Sequence, residues 1–450
     1  MDIAESSKKI VSAMDRKVTL RLMPLLLVCY VFANLDRINI GFAKMQMSID
    51  LGFSDTMYGL GAGLFFVAYA LFGLPSNMAL DKFGAKRWIC TIMVLWGILS
   101  AGMFMVKTEE QFYILRFLLG AAEAGFFPGI LLYITRWFPR RRRATMTAWF
   151  ALAVPIAGIL GGPVSGLIID GMNNVNGLRG WQWMFILEGI PVVFLAMLVL
   201  KYLPDTIAGA NFLTAQEKQL LTDELHSEEQ AKTETATSFM GIFFNKYVWI
   251  LVIVYFAVRL SVNTLSYWMP TFIHGAGVSS NTAVGFLSAA PYVFGLLFML
   301  FIGYSSDRTG ERRYHLFICM VMSAIGLALA GIMSTSIVAV IIGLSIACMG
   351  ANAALPLYWQ FPPAFLSAAT LSAGLAIISS FGSVASFAAP YMIGWMRDNI
   401  ADQGMALYII SFMIFVGALI VLSVPASQVN KTVSKNKELA SASEGKSTAA

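Results

Sequence analysis

Charged side chains stand inside long apolar runs, among them Asp36, Arg37, Arg116, Glu123 and Arg259. A charge held at the depth of a bilayer costs about 2.5–3.5 kcal/mol on insertion scales, so each one needs a reason. One reason is a set of ion pairs that locks a helix bundle, although such pairs can often be replaced by apolar residues without loss. The other is a cavity that handles charge. Arg116 and Glu123 are two helical turns apart, which puts them on one face about 10 Å apart along the axis. Asp36 sits roughly 20 Å up the first apolar run at 1.5 Å per residue. Both helices can therefore present charge to one central cavity. A carboxyl there is pulled two ways: burial favours the neutral acid, and a neighbouring guanidinium favours the carboxylate. That competition suits reversible proton binding. The arginines suit a carboxylate ligand, because the guanidinium fork pairs with it bidentately and lysine does not.

Arg259 lies in the stripe Tyr255, Arg259, Asn263 and Tyr267, one residue in every four. That spacing makes one polar helix face. Two readings of Arg259 are open. It meets a second carboxylate of a diacid, or it pairs with Asp36 or Glu123 in one conformation. Other candidate cavity residues are Tyr69, Asn352, Tyr358, Trp359, Gln360 and Ser380. No nucleophile–base pair, phosphate loop or nucleotide motif appears, so an enzyme is not expected. Cys29, Cys90, Cys319 and Cys348 lie in apolar segments with no close pairing, and read as small hydrophobes. His226, His274 and His315 are scattered, which argues against a metal site. No cofactor is expected.

The elements that must position these residues follow from composition. The chain is 58% hydrophobic and 12% charged, against about 25% charge in a soluble domain. Twelve runs are long enough to cross a membrane, a span needing about 20 apolar residues: 20–43, 58–80, 87–106, 112–135, 145–169, 182–203, 247–273, 283–304, 314–334, 337–360, 370–396 and 405–425. The first lacks a cleavage signature and reads as a signal anchor. Residues 1–203 form one six-helix unit and 247–425 a second. The polar stretch 204–246 joins them and holds the capping box Thr214-Ala-Gln-Glu217 before a short amphipathic helix. Residues 426–450, rich in Ser, Ala and Lys, read as a disordered tail.

Basic residues set the expected orientation. With the N-terminus in the cytoplasm, 24 of the 31 Lys and Arg fall in inner segments, 4 in outer loops, and Arg37, Arg116 and Arg259 inside spans. Both termini are then cytoplasmic. The +6 net charge is accounted for by this bias without any nucleic-acid partner.

Two stretches share one shape: Asn77-Met-Ala-Leu-Asp81-Lys82-Phe-Gly84-Ala-Lys86-Arg87 and Gly303-Tyr-Ser-Ser-Asp307-Arg308-Thr-Gly310-Glu-Arg312-Arg313. Equivalent turns in each half point to an internal repeat, as in secondary transporters. Glycine and proline are frequent within the spans, as in Gly158-Ile-Leu-Gly161-Gly162-Pro163, Phe361-Pro362-Pro363 and Pro390. They permit close helix contact, and also bending and sliding.

These turns resemble the major facilitator superfamily motif Gly-x-x-x-Asp-Arg-x-Gly-x-Arg-Arg. The second copy matches throughout; the first has Asn77 for Gly and Lys82 for Arg. In that family the motif is a charge latch between the bundles on the cytoplasmic side, a role that falls on Asp81, Gly84, Arg87, Asp307, Arg308, Gly310 and Arg312. Leu35-Asp36-Arg37-Ile-Asn39-Ile-Gly41, Arg116-Phe-Leu-Leu-Gly120-Ala-Ala-Glu123-Ala-Gly125-Phe-Phe-Pro128-Gly129 and Gly180-Trp181-Gln-Trp183-Met-Phe185-Ile-Leu-Glu188-Gly189 resemble the anion–cation symporter branch. They look most like bacterial permeases for tartrate, rhamnonate, galactonate and 4-hydroxyphenylacetate.

The resemblance implies an all-α membrane protein of two pseudo-symmetric six-helix bundles. It implies proton-coupled import of a small organic anion, a sugar acid or hydroxy acid, by alternating access. The setting is a monomer in a bacterial inner membrane. Proton carriage falls on Asp36 and Glu123, and carboxylate binding on Arg37 and Arg116. Tyr69 and Trp359 match positions the branch uses for substrate. A proton-driven antiporter for drugs and a membrane sensor of organic acids are the alternative readings.

Overall fold

The computed structural model describes residues 3–230, 243–366, 368–400 and 404–430, and is helical almost throughout. The helices are α1 (Ile3–Leu51), α2 (Asp55–Phe83), α3 (Ala85–Gly102), α4 (Glu109–Glu123), α5 (Phe126–Trp137), α6 (Arg140–Ala151), α7 (Ala153–Gly171) and α8 (Gly180–Tyr202) in the first half. They continue as α9 (Ala215–Gln230) in the connection, then α10 (Lys246–Gly275), α11 (Asn281–Thr309), α12 (Arg313–Ile332), α13 (Ile337–Tyr358), α14 (Ala368–Asn399) and α15 (Met405–Val421). Eleven helical segments are long and apolar enough to cross a membrane, and α15 adds a shorter apolar helix. Phe194, Phe301 and Phe412 are among many large apolar side chains that face outward, as a lipid-facing belt requires.

Ends are set by side chains that satisfy orphan backbone groups. The hydroxyls of Ser54, Thr108, Ser280 and Ser336 accept from Met57, Gln111, Ala283 and Ala339 amides. Gly84 ends α2 at φ 86° and Gly310 ends α11 at φ 69°. Only glycine takes such positive φ freely. The two glycines occupy the same place in the two motifs and share a positive φ, although their ψ angles differ, 148° at Gly84 and 0° at Gly310.

Three segments differ from the expected spans. The first helix runs from Ile3 to Leu51, well past 20–43 at both ends. The fourth and fifth spans are each broken, into α4 and α5 at Ala124–Gly125 and into α6 and α7 at Leu152. Gly125 packs so tightly that a Cβ there would lie 1.8 Å from the Ser76 hydroxyl. In the connection, α9 starts just after Thr214. The Thr214 amide donates to Glu217 Oε2 at 2.9 Å, and the Glu217 amide to the Thr214 hydroxyl at 3.2 Å. Residues 426–429 of the expected tail form a helical turn, and Asn430 Oδ1 accepts from the Arg312 amide at 2.9 Å. The rest of the tail lies outside the described residues.

The N-terminus, the connection and Asn430 share one end of the bundle, here the terminal face; the other is the far face. The halves meet along α2 with α14 and α7 with α11. The contact is glycine-lined: a Cβ on Gly162 would lie 2.5 Å from the Gly285 carbonyl oxygen, and one on Gly59 2.4 Å from that of Pro390. Hydrogen bonds and ion pairs joining the halves gather at the far face. Asp55 takes Lys44 at 2.6 Å and Arg397 at 2.7 Å. Asp398 accepts from the Thr56 amide at 2.7 Å. Asp170 accepts from Asn281 and Thr282, each at 2.7 Å. Tyr58 donates to the Tyr267 carbonyl at 2.9 Å.

Candidate functional site

The buried charges come together around α1. Arg37 Nε donates to Glu123 Oε2 at 2.9 Å, with the Glu123 side chain fully buried. Glu123 is the last residue of α4, where the helix breaks, and its carboxyl faces that of Asp36. The Ser100 hydroxyl donates to Asp36 Oδ1, while Asp36 Oδ2 and Glu123 Oε1 have no partner. The Arg37 guanidinium lies over the Tyr69 ring at 4.9 Å and near that of Phe65 at 5.5 Å. Such stacking holds the cation without neutralising it.

Arg37 also lines a central cavity of about 100 Å³ between the halves. Opposite it stands Arg259, whose Nε and Nη2 both donate to the Ser386 hydroxyl, at 3.1 and 2.9 Å. Asn263 Nδ2 donates to the same oxygen at 3.1 Å. Among the described residues no carboxylate lies within ion-pair distance of Arg259; Asp36 and Glu123 are held elsewhere. Asn34, Tyr267, Tyr292 and Asn352 add to the polar part of the wall. A larger groove, about 760 Å³, runs beside the start of α1 near Arg16 and Trp149. It is at the surface and away from the buried charges. The small cavity is the better candidate because guanidiniums from both halves converge on it.

The sequence-based candidates divide accordingly. Arg37, Arg259, Asn263 and Asn352 line the cavity, with Tyr69 against Arg37. Arg116, expected beside them, is sealed beneath Phe65: the guanidinium lies 5.0 Å from that ring, and its Nε and Nη2 are unpartnered. Tyr255 stacks on Tyr358, and Trp359 packs at a steep angle against both, below the cavity and towards the terminal face. Gln360 follows them and is not in the wall. Ser380 is exposed and bonds only its own helix, at Ala376.

The expected latch residues do not bridge the halves where they are described in contact. Asp81, near the end of α2, pairs with Arg136 in the last turn of α5, in its own half, at 2.5 Å. Gly84 and Gly310 end their helices, Arg312 is held through its backbone by Asn430, Arg87 and Arg308 are exposed, and Asp307 has a partner.

Four residues were not anticipated. Ser386 anchors Arg259, and Ser100 serves Asp36. Glu188 and Ser165 form a buried pair, the Ser165 hydroxyl donating to Glu188 Oε1 at 2.7 Å. Glu188 was visible: it is a carboxylate inside an expected span, and the cost argument applied to Glu123 applies equally to it.

The family profile of the Major Facilitator Superfamily matches residues 26–390 and again 277–448. The chain is 42% identical over 407 residues to an Agrobacterium vitis protein described as a tartrate transporter, covering 90% of this chain and 93% of the relative. It is 37% identical over 428 residues to a quinolone resistance transporter of Acinetobacter baumannii, covering 94% and 98%. The crystal structure of a D-xylose–proton symporter superposes with a TM-score of 0.74 at 16% identity, covering 92% and 99%; this shows the shared fold. The chain belongs to the Major Facilitator Superfamily and is a multi-pass membrane transport protein, not an enzyme.

Proposed function

We propose that this member of the Major Facilitator Superfamily imports a small dicarboxylic hydroxy acid, such as tartrate, together with protons. It does so as a monomer by alternating access in a bacterial inner membrane, with the terminal face cytoplasmic. One observation carries the reading: Arg37 and Arg259, from opposite halves, line the same cavity, and among the described residues Arg259 has no carboxylate within ion-pair distance. A diacid spanning the two guanidiniums joins the halves through its own charge. An aldonate or other monoacid would leave Arg259 unneutralised.

Asp36 and Glu123 are the proton carriers in this reading. With the far face open, Glu123 takes a proton and releases Arg37 to the substrate; both then travel together. The loaded carrier has fewer uncompensated charges, which lowers the cost of rearranging around them. The 24-to-4 split of basic residues supports the orientation.

The alternative of drug export has a relative in its favour, the quinolone resistance transporter. The cavity opposes it. About 100 Å³ is well below the roughly 300–1,000 Å³ typical of pockets for drug-sized ligands.

The test is uptake into proteoliposomes under an inward proton gradient, with tartrate, aldonates, aldarates, 4-hydroxyphenylacetate and neutral sugars. Selective accumulation of diacids that collapses with a protonophore supports the reading. Accumulation of monoacids alone removes the role of Arg259. Tight binding without flux makes the protein a sensor.

A further inference from the structure

Glu188 has no part in the reading above, yet it is buried on α8 with one carboxylate oxygen unpartnered. Among the described residues no cation lies within ion-pair distance of it. Its polar neighbours are Ser165 of α7 and Asn39 of α1, and Asp36 is the nearby charge. The neighbouring α3 carries no charged side chain beyond Arg87, and the one carboxylate of α7, Asp170, is bound by the other half at the far face. Three carboxyls, Asp36, Glu123 and Glu188, thus share a region with two guanidiniums, Arg37 and Arg116. Both guanidiniums lie on the Asp36 and Glu123 side. A region this dry favours neutrality, so a proton belongs on the carboxyl that lacks a cation.

Depth gives that proton a role. The Trp181 indole nitrogen donates to Asp50 Oδ2 at 3.0 Å, which fixes α8 and α1 at one level near the far face. Counting 1.5 Å per residue from there, Glu188 lies about 10 Å deep, Asn39 about 16 Å and Asp36 about 21 Å. Glu188 therefore stands between the far face and Asp36, with Asn39 at the intermediate level. Asn39 is fully buried and neither of its side-chain polar atoms has a hydrogen-bond partner.

We propose that Glu188 is the far-face proton donor to Asp36, with Asn39 as the positioning residue between them. The Glu188 acid gives its proton to the Asp36 carboxylate by way of a water on the Asn39 amide. The resulting Glu188 carboxylate takes a replacement proton from the far-face aqueous phase. The inference rests on proton-coupled transport by this protein and adds a third titrating group to it.

The full-length protein in lipid is titrated by infrared spectroscopy, reading the C=O stretch of protonated carboxyls. Glu188→Gln is expected to delete one titrating band, and Asn39→Leu to leave that band but uncouple it from the Asp36 signal, defined by Asp36→Asn. In proteoliposomes with tartrate, both variants are expected to lower the ratio of gradient-driven uptake to counterflow by about a hundredfold, the lower end of the range for loss of a proton-transfer group. Unchanged infrared spectra in Glu188→Gln, or a wild-type ratio in both variants, overturn the proposal. So does an equal loss of both transport modes in Asn39→Leu, which marks a structural cluster. A wild-type protein with no response to the proton gradient is a different result: it overturns the transport reading on which this one rests.

Discussion

Arg37 and Arg259 face one cavity from opposite halves, but only Arg37 is neutralised, by Glu123 at 2.9 Å. In the proposed cycle the asymmetry gives them different tasks. There Arg37 exchanges one carboxylate, that of Glu123, for another, that of the substrate. Arg259 waits on a serine hydroxyl, a partner that gives up little when displaced.

Arg259→Lys keeps the charge but loses the planar fork that matches a carboxylate. A charge-assisted hydrogen bond is worth about 1.5–3 kcal/mol, so tartrate uptake is expected to fall about 10- to 100-fold. A monocarboxylate of similar size is expected to change much less. Concentration dependence of uptake for both acids checks this, and equal losses would remove the second-carboxylate role.

Glu123→Gln places a neutral amide at a position where, in the proposed cycle, the acid must lose its proton. Gradient-driven accumulation is expected to fall by about a hundredfold, in the range for a lost acid–base group. Counterflow is expected to fall far less, because the glutamine mimics the protonated state. Uptake at a series of external pH values, with and without internal substrate, separates the two modes. Intact pH-driven accumulation in this variant would remove Glu123 from the coupling.

The spans and the two halves were legible because a bilayer leaves only one solution for the backbone, an apolar helix with its own hydrogen bonds closed. Helix ends were less legible. Apolar content ends near residue 43, but Lys44 is drawn on by Asp55 and the helix continues to Leu51. The charged residues were legible individually through their cost. Their partners were not, because partnership depends on which helix faces which. Ser380 and Ser386 lie on one helix, six residues and about 240° apart; only the packing of α10 decides that Ser386 meets Arg259. Arg116 was misplaced for a similar reason, since the Phe65 ring that covers it comes from α2.

Glu217 gives a pH-dependent contact outside the membrane. Burial raises its proton affinity, but the Lys17 ammonium at 2.7 Å and the Thr214 amide outweigh burial and hold the carboxyl below its ordinary value. A depressed folded value means the contribution is complete above the unfolded value, about 4.3, and is lost as pH falls through the lower folded value. Lys17 is nearly half exposed, so the pair is worth about 0.2–1 kcal/mol. Amide hydrogen exchange in residues 215–230 is expected to be flat above about pH 5, after correction for intrinsic rates, and to quicken at lower pH. Glu217→Gln is expected to raise exchange at neutral pH and flatten the acid response.

Asp55 is the hub of far-face closure. It takes Lys44 from its own half and Arg397 from the other, while Lys44 and Arg397 both lie over the Trp268 ring, at 4.9 and 5.7 Å. Asp55→Asn leaves two cations over one aromatic ring without the carboxylate that pairs with both. The closed arrangement loses an ion pair between halves and gains a repulsion, whereas the open arrangement, with water admitted, loses neither. Removing a hydrogen bond to a charged group costs about 1.5–3 kcal/mol, which shifts the balance by about tenfold or more. Spin labels on exposed Ile49 and His274, at the far ends of α1 and α10, are expected to report a longer distance in the variant. Uptake is then limited by the return to the closed state, so substrate is bound from the far face but released slowly at the other. An unchanged distance distribution would mean that the glycine-lined contact of α7 with α11 holds the far face shut without Asp55.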